Sequence, residues 1–139
     1  EGEIIVGYGD GAASHFAAHP TDAARQGPLG RLRMPWAGHG SRDDTAGELQ
    51  QGFNACLCLS ADFKAGRAVI GYRNSCVAVW CLRSHSPLHL LEDHTAPVLC
   101  VAQGPTLLAT GGRDRQVHVY LMGRGGGRAS PLPEGSEGR

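Results

Sequence analysis

Cysteine and histidine side chains are concentrated between residues 76 and 94, and they have the chemistry of a metal or redox site. Cys76, Cys81, His85 and His89 lie within 14 residues, and zinc fingers use the same spacing of two histidines. The finger pattern has about twelve residues between its cysteine pair and its histidine pair, but only three separate Cys81 from His85. Two hypotheses follow: a small zinc-binding or redox protein that uses the Cys76–His94 cluster, or buried thiols beside surface histidines. The spacing favours the second.

Another pair, Cys56 and Cys58, is separated by one residue in an apolar run. On a strand this spacing places both thiols on one face, too close together for a shared four-ligand site. An odd total of five cysteines without a secretory leader favours reduced thiols in a cytoplasmic or nuclear protein. No nucleophile elbow, phosphate-binding loop or H-E-x-x-H helix occurs. The sequence therefore predicts no catalytic residue, cofactor, metal or small-molecule substrate.

Composition sets the broad class. The chain has 139 residues, 41% of them hydrophobic, and its 13 basic and 13 acidic side chains balance to a net charge of zero. This length fits one ordinary domain, and the neutral charge argues against nucleic acid as a partner. No run approaches the ~18 apolar residues that a membrane helix needs, so no membrane association is expected. Because "EIIVGYGD" reads as the middle of a strand, we expect the chain to be part of a longer polypeptide.

Three windows of the chain align without gaps. They are "IIVGYGDGAASHF" (Ile4–Phe16), "AVIGYRNSCVAVW" (Ala68–Trp80) and "LATGGRDRQVHVY" (Leu108–Tyr120), at offsets of 64 and 40 residues. Each has an apolar run that reaches a glycine, then an acid or amide, then an aromatic. The glycines are Gly7, Gly71 and Gly111; the acids or amides are Asp10, Asn74 and Asp114; the aromatics are Phe16, Trp80 and Tyr120.

Each window predicts a β-hairpin. The apolar run is expected to be a strand buried on both faces, and the Asp or Asn side chain is expected to bond backbone amides in the turn. The second strand alternates as a half-buried strand does, most clearly at Val77 and Val79 and at Val117 and Val119. The terminal ring supplies the apolar area that closes a core between stacked sheets.

A period of about 40 residues built from such hairpins is typical of propeller blades. The segment "LLEDHTAPVLCVAQGPTLLATGGRDRQVHVY" resembles a repeat of the WD-repeat family, in which a Gly-His dipeptide precedes the innermost strand and a Ser or Thr, a turn Asp and a Trp-Asp follow. Here Asp93 stands in place of the glycine and Tyr120 in place of the tryptophan. The resemblance covers residues 54 to 121 well and residues 3 to 16 thinly. It implies an all-β fold, a partial β-propeller of four-stranded antiparallel blades.

The resemblance also implies a structural hydrogen-bond network that ties the strands of the third copy together. Its members are His94, Thr110, Asp114 and Tyr120. A buried network stabilises a fold only when every member has a partner, and the Tyr120 hydroxyl has a different reach from an indole. The second copy has Ile70 where Thr110 stands, so we expect it to depend on packing around Trp80.

Residues 17 to 52 depart from the blade spacing and are predicted to be an inserted loop with one outer strand that the sequence does not place. In this loop Arg31, Arg33 and Trp36 mix cationic and aromatic side chains, as partner-binding loops do. The alternative is a mobile surface loop with a tucked tryptophan. The tail from residue 123 is rich in Gly, Pro and Ser and is predicted to be disordered. Its Gly-Arg run, with Arg31 and Arg33, raises a further hypothesis of RNA binding, against which the neutral charge argues.

The sequence thus divides into four segments. These are 1–16, the end of a degenerate blade; 17–52, the inserted loop; 53–122, two WD-like blades; and 123–139, the disordered tail. The resemblance implies a protein–protein interaction scaffold or adaptor without catalysis, located in the cytoplasm or nucleus, with the remaining blades supplied by the parent chain. Its partners are expected to be other proteins, bound by loops. The residues expected to bind them are Arg31, Arg33, Trp36, Glu92, Asp93, Arg113 and Arg115.

Overall fold

The computed structural model describes residues 2–18, 27–34, 53–123 and 130–131, which form three antiparallel sheets. The first sheet has the strand order β1 (Gly2–Gly7), β2 (Ala13–Ala18) and β3 (Gly30–Leu32). The second has β4 (Cys56–Asp62), β5 (Arg67–Tyr72), β6 (Val77–Cys81) and β7 (Ser86–Leu91). The third has β8 (Val98–Gln103), β9 (Leu107–Gly112), β10 (Val117–Leu121) and β11 (Ser130–Pro131), with β8 and β11 at its edges. The predicted all-β, partial-propeller fold is confirmed.

The described residues contain no helix, and therefore none that is long and apolar enough to cross a membrane.

The three aligned windows are the hairpins β1–β2, β5–β6 and β9–β10. In each, the terminal aromatic lies directly opposite the first residue of the window. The pairs are Ile4 with Phe16, Ala68 with Trp80, and Leu108 with Tyr120. The three windows are therefore copies of one folded unit in the same register.

The hairpin turn has the same geometry in all three copies. The side chain of Asp10, Asn74 or Asp114 accepts a hydrogen bond from the backbone N–H two residues later, at 3.0, 3.1 and 3.0 Å. The residue between has a left-handed backbone, with φ of 88° at Gly11, 76° at Ser75 and 65° at Arg115. Side chains rarely adopt this conformation without local support. The hydrogen bond that the acid or amide accepts supplies that support at Ser75 and Arg115.

The sheets stack in chain order, with one apolar core in each gap. Between the first and second sheets the core contains Leu32, Met34, Ile70, Tyr72 and Trp80. Between the second and third sheets it contains Val69, Val79, Val98, Leu108 and Tyr120. The middle sheet therefore has both faces covered, and each outer sheet has one.

This stacking overturns the expected burial of several strands. Residues 77 to 80 of β6 are all buried, so the predicted half-buried alternation is wrong there, because both faces of the middle sheet are covered. In β10, Val117 is 63% exposed, since no described residue packs on that face of the third sheet. In β1, Ile4 is 51% and Val6 40% exposed, so β1 is not buried on both faces as predicted.

The first sheet also departs from the predicted four strands per blade. The second and third sheets each place a strand, β4 or β8, beside the first strand of the hairpin. Among the described residues, β1 has no such neighbour, so the first sheet has three strands. Its outer strand, which the sequence could not place, is β3, where Leu32 pairs with Ala13.

The tail was predicted to be disordered from residue 123 onward, but Ser130 and Pro131 form β11. Their backbone pairs with Leu121 and Tyr120, so the prediction of disorder is wrong for these two residues. The unpaired outer edge of β10 attracts any extended segment nearby because its backbone groups need partners. Trp36 and the remainder of the tail beyond residue 123 lie outside the described residues.

Candidate functional site

The three hairpin turns lie at one rim of the stacked sheets, together with the connections that lead into β4 and β8. The Arg73 N–H donates to the Ala55 carbonyl and the Arg113 N–H to the Pro97 carbonyl, both at 2.9 Å. The Cys56 N–H donates to the Tyr8 carbonyl at 3.1 Å, which joins the first sheet to the second. We call this set of residues (8–12, 53–55, 73–76, 92–97 and 113–116) the turn rim. Most of the residues predicted to form the hydrogen-bond network, the turns or a partner-binding surface lie on the turn rim or next to it.

The imidazole of His94 is the centre of a hydrogen-bonded group in the third sheet. Its Nδ1 lies 2.9 Å from Oδ2 of Asp114, and its Nε2 lies 2.8 Å from Oγ1 of Thr110. His94 is 5% exposed, so both bonds are shielded from water. A Cβ at Gly112 would come within van der Waals overlap of the His94 ring and the Asp114 carboxylate. Glycine at this position therefore makes the space that the imidazole occupies.

The carboxylate of Asp114 joins three parts of the blade. It bonds His94, accepts from the Thr95 N–H at 3.0 Å and accepts from the Gln116 N–H at 3.0 Å. Desolvation by burial raises its pKa, but the bonds from Thr95, His94 and Gln116 outweigh that effect and hold the pKa at about 2. The ionised carboxylate is thus the form that this structure stabilises.

Tyr120 completes the group in an unexpected direction. Its hydroxyl donates to Oδ2 of Asp93 at 2.6 Å. Burial and the Asp93 carboxylate raise the pKa of the phenol, and the Thr110 hydroxyl partly opposes them. Asp93 and Tyr120 both depart from the repeat pattern, and each is the other's partner. Asp93 was expected to bind a partner protein, but its carboxylate is engaged within the blade.

Three possible metal ligands meet at this group. Within the described part of the chain, the ligand atoms of His94, Asp114 and His118 lie within 4.8 Å of one another. Both ring nitrogens of His94 already bond Asp114 and Thr110, so a bound ion would have to displace the network. The alternative cluster, Cys76 to His94, does not bring three ligand atoms together among the described residues.

Cys56 and Cys58 do not share a face, which corrects the expectation from their spacing. A β-bulge lies between them in the pairing of β4 with β5, and it rotates one residue relative to the other. Cys56 packs toward the first sheet and Cys58 toward the third. Burial, the largest effect, raises the pKa of each thiol to about 11. Both are therefore protonated at neutral pH and poor nucleophiles or metal ligands.

The second sheet contains a related polar pair that the sequence reasoning missed. The Asn74 side-chain amide donates to Oδ1 of Asn54 at 3.1 Å. Asn54 lies 20 residues before Asn74, the same separation as His94 from Asp114, and this spacing could have revealed the pair. The place of the His94 ring is not available, because Tyr72, fully buried, stands where the third sheet has Gly112.

The remaining predicted residues take different positions. Trp80 and Tyr120 are buried, whereas Phe16 is only half-buried because its face of the first sheet is open. Glu92, Arg113 and Arg115 are exposed on the turn rim.

Arg31 and Arg33 are separated from that group and lie against the first hairpin. With Tyr8, Asp10 and Ser14 they line a cavity of about 170 Å³. Trp36, which was predicted to act beside them, lies outside the described residues.

No protein-family model matches the chain. Over 58 residues, 38% of this chain, the sequence is 42% identical to the angio-associated migratory cell protein of Homo sapiens and, at the same coverage, 40% identical to that of Canis lupus familiaris. The match covers 13% of each relative, so the chain spans a small part of the length of these curated proteins.

The fold is similar to that of solved structures. A chain of the Mitotic Checkpoint Complex superposes with a TM-score of 0.62 and 25% identity, over 86% of this chain and 32% of that one. The computationally designed Ika4 protein superposes with a TM-score of 0.65 and 15% identity, over 88% of this chain and 62% of that one. The stacked arrangement of the sheets is therefore one that other proteins share.

Proposed function

We propose that this chain, whose sequence resembles the WD-repeat family of β-propellers, is a protein-interaction module whose turn rim binds an acidic segment of a partner protein. The family and the fold support a scaffold in general. The choice of surface and of partner chemistry comes from the charges on the turn rim.

The observation that carries this proposal is an imbalance between free cations and engaged anions on the turn rim. Arg73, Arg113 and Arg115 are exposed, and no hydrogen bond or ion pair of their side chains occurs within the described residues. In contrast, the carboxylates of Asp93 and Asp114 are bonded inside the third sheet. The cations are therefore available to a partner. The charges of the Asp93 and Asp114 carboxylates are partly neutralised by the groups that donate hydrogen bonds to them.

The turn rim is also rigid enough to present these side chains. Each turn is closed by its acid or amide and by backbone bonds, such as Gly112 N–H to Gln116 carbonyl at 3.1 Å. Side chains on a preorganised turn lose less entropy on binding than side chains on a mobile loop. The backbone positions from which the arginines of the second and third sheets project are thus set by the turns.

We further propose that the module acts as an adaptor without catalysis, in the cytoplasm or nucleus. Its five cysteines are free in the structure, which supports a reducing compartment. Binding by the loop cavity of Arg31 and Arg33 is a second part of the same proposal, since these cations border the turn rim at the first hairpin.

The test is a charge reversal at one rim with a matched control at the other. A fluorescent Glu-rich peptide is titrated against the chain and against the variant Arg73→Glu/Arg113→Glu. The control is Lys64→Glu/Arg83→Glu, which changes exposed cations in the turns at the opposite rim. We expect binding that weakens with added salt, is lost in the turn-rim variant and is kept in the control.

Equal loss of peptide binding in the control would show a nonspecific charge effect and would contradict the proposal. Tighter binding of single-stranded RNA than of the acidic peptide would favour the nucleic-acid hypothesis instead. Circular dichroism of each variant verifies that the sheets are intact.

A further inference from the structure

Two histidines join the first sheet to the second at the rim opposite the turn rim. Nδ1 of His15 in β2 lies 3.0 Å from Nε2 of His85, which belongs to the turn between β6 and β7. His15 is 4% exposed, so the bond between the two rings is shielded from water on that side. We call His15 and His85 the histidine pair. The proposed function does not use it.

A glycine leaves the space that the second ring occupies. A Cβ at Gly30 in β3 would overlap the His85 imidazole. His85 has a left-handed backbone with φ of 53°, which residues with a side chain rarely adopt. The first sheet therefore receives His85 as the third sheet receives His94, beside a glycine that leaves room for an imidazole.

Further contacts surround the His15 ring. It stacks on Phe63 from the turn between β4 and β5, with the ring centroids 6.0 Å apart and 20° between the planes. Its Nε2 is buried and has no hydrogen-bond partner among the described residues, and Oε2 of Glu3 lies 3.5 Å away. The contacts of His15 thus reach two titratable side chains, His85 and Glu3, and one apolar ring.

Other charged residues occur on the elements around the histidine pair, but they make other contacts. The Asp62 carboxylate bonds the backbone of its own turn, and the Arg83 side chain packs beside Gly66. Arg31 lines the cavity at the first hairpin, and Lys64 is exposed. Among the described residues, the carboxylate that faces the histidine pair is therefore that of Glu3.

The distances determine where the protons of the pair lie near neutral pH. A hydrogen bond between two imidazoles needs one N–H and one bare nitrogen. When Nε2 of His85 donates to Nδ1 of His15, the neutral His15 carries its own proton on Nε2, which faces the Glu3 carboxylate. The opposite assignment places a bare Nε2 against that carboxylate. The first arrangement is therefore the favoured one.

Acid acts on the pair in two steps. One added proton is accommodated, because a cationic His15 donates to His85 from Nδ1 and faces Glu3 with its other N–H. A second proton puts an N–H on both facing nitrogens, which removes the hydrogen bond and leaves two positive rings 5.3 Å apart. Burial, the larger effect, and the His15 ring lower the pKa of His85 below its usual value.

We propose that the histidine pair is an acid-sensitive contact, which holds the first sheet against the second near neutral pH and releases it at this rim when both imidazoles are protonated. A histidine whose pKa is lowered by folding contributes stability that is complete above the unfolded value of ~6.5 and is lost as the pH falls below it. The release therefore belongs to the range below pH ~6.5. It is separate from the effect of Asp114, whose pKa is about 2.

Amide hydrogen exchange of the Leu29 N–H reports the contact, because this group donates to the His15 carbonyl at 2.7 Å. After correction for intrinsic rates, we expect exchange at least about threefold faster at pH ~5.5 than at pH ~7.5, since one proton bound in excess by the open form allows up to about tenfold per pH unit. His85→Gln keeps a donor but does not titrate, so its Leu29 exchange should not depend on pH. His118→Gln changes a half-buried histidine of the third sheet and, as the control, should behave as the unmodified chain does.

Titration of the imidazoles by NMR separates the pair from a purely structural role of His85. In His15→Gln, the His85 ring should titrate at a higher pH than in the unmodified chain, because the neighbouring charge is absent. Three results would each overturn the proposal: Leu29 exchange independent of pH in the unmodified chain, the same acceleration in His85→Gln, or a His85 titration that His15→Gln does not change. Circular dichroism verifies that the variants are folded.

Discussion

The second and third sheets fill the same interior position in opposite ways. In the third sheet, Gly112 leaves a space that His94 enters, and the imidazole links Asp114 to Thr110. In the second sheet, Tyr72 stands at the position of Gly112, and its ring is fully buried. Burial raises the pKa of the Tyr72 phenol, and the neighbouring indole of Trp80 partly offsets the rise.

The hairpins themselves do not differ. Both turns have an acid or amide that accepts from the backbone N–H two residues on, followed by a residue with positive φ. The backbone unit is therefore independent of what stabilises its interior. A polar network needs four cooperating side chains, whereas aromatic packing needs volume, and this blade shape accepts either.

The largest expected effect is in the sheet that depends on packing. Trp80→Ala removes a ring that is 1% exposed, and should destabilise the chain by ~3–5 kcal/mol because it loses apolar burial and leaves a cavity. Urea denaturation followed by circular dichroism measures the change. Phe16→Ala is the control, since Phe16 is the same position in the half-covered first sheet and should cost clearly less. Equal losses would mean that Trp80 is not a core ring.

The next largest loss of stability is expected in the hydrogen-bond network of the third sheet. His94→Ala leaves Asp114 and Thr110 without a buried partner, and we expect a loss of ~1.5–3 kcal/mol, the range for hydrogen bonds to charged groups. Thr95→Ala is the matched control, because it keeps the backbone N–H that bonds Asp114 and changes an exposed side chain of the same connection. If both variants unfold at the same urea concentration as the unmodified chain, the network does not stabilise the blade.

The polar pair of the second sheet should matter less. Asn54→Ala removes one neutral hydrogen bond to Asn74, which corresponds to ~0.5–1.5 kcal/mol. The same denaturation experiment detects it. A loss as large as that of His94→Ala would indicate that the second sheet also depends on a network rather than on Tyr72 and Trp80.

Acid should destabilise the third sheet more than the second. This is the smallest of the expected effects, because it is absent near neutral pH. The pKa of Asp114 is lowered to about 2 in the folded chain, against ~3.9 in an unfolded one. A depressed carboxyl pKa contributes stability that is complete above the unfolded value and is lost as the pH falls from about 4 to about 2. Asn74, its equivalent, does not titrate.

Amide exchange in β9 and β10 should therefore accelerate over this pH window more than exchange in β5 and β6, after correction for intrinsic rates. The variant Asp114→Asn should remove the difference. Parallel acceleration in both sheets of the unmodified chain would contradict the assignment to Asp114.

The repeat could be predicted from the sequence because the residues that define it lie close together in the chain. Glycine, turn acid or amide and aromatic lie within 13 residues of one another, and their bonds join near neighbours. The His94–Asp114 separation of 20 residues could also be read, because the family pattern supplied it. The Asn54–Asn74 pair has the same separation, but Asn54 does not match the histidine of that pattern, so the sequence did not reveal the pair.

Other features depend on segments that are far apart in the chain. The bulge that turns Cys56 and Cys58 to different faces arises where β4 pairs with β5 and packs between two sheets. The hydrogen bond from Tyr120 to Asp93 joins residues 27 apart. In the sequence, the replacement of the pattern's glycine and the replacement of its tryptophan show no relation to each other.

The amino-acid sequence determined the hairpins, their register and the identity of the rings at their ends, since these follow from turn chemistry and from side-chain alternation over short distances. Which faces are covered was decided only by the stacking of the three sheets, which buries residues 77 to 80 of β6 and leaves Val117 exposed. Burial and strand partners are properties of the assembled layers, and a strand carries the same residues whether or not a neighbouring sheet lies against it.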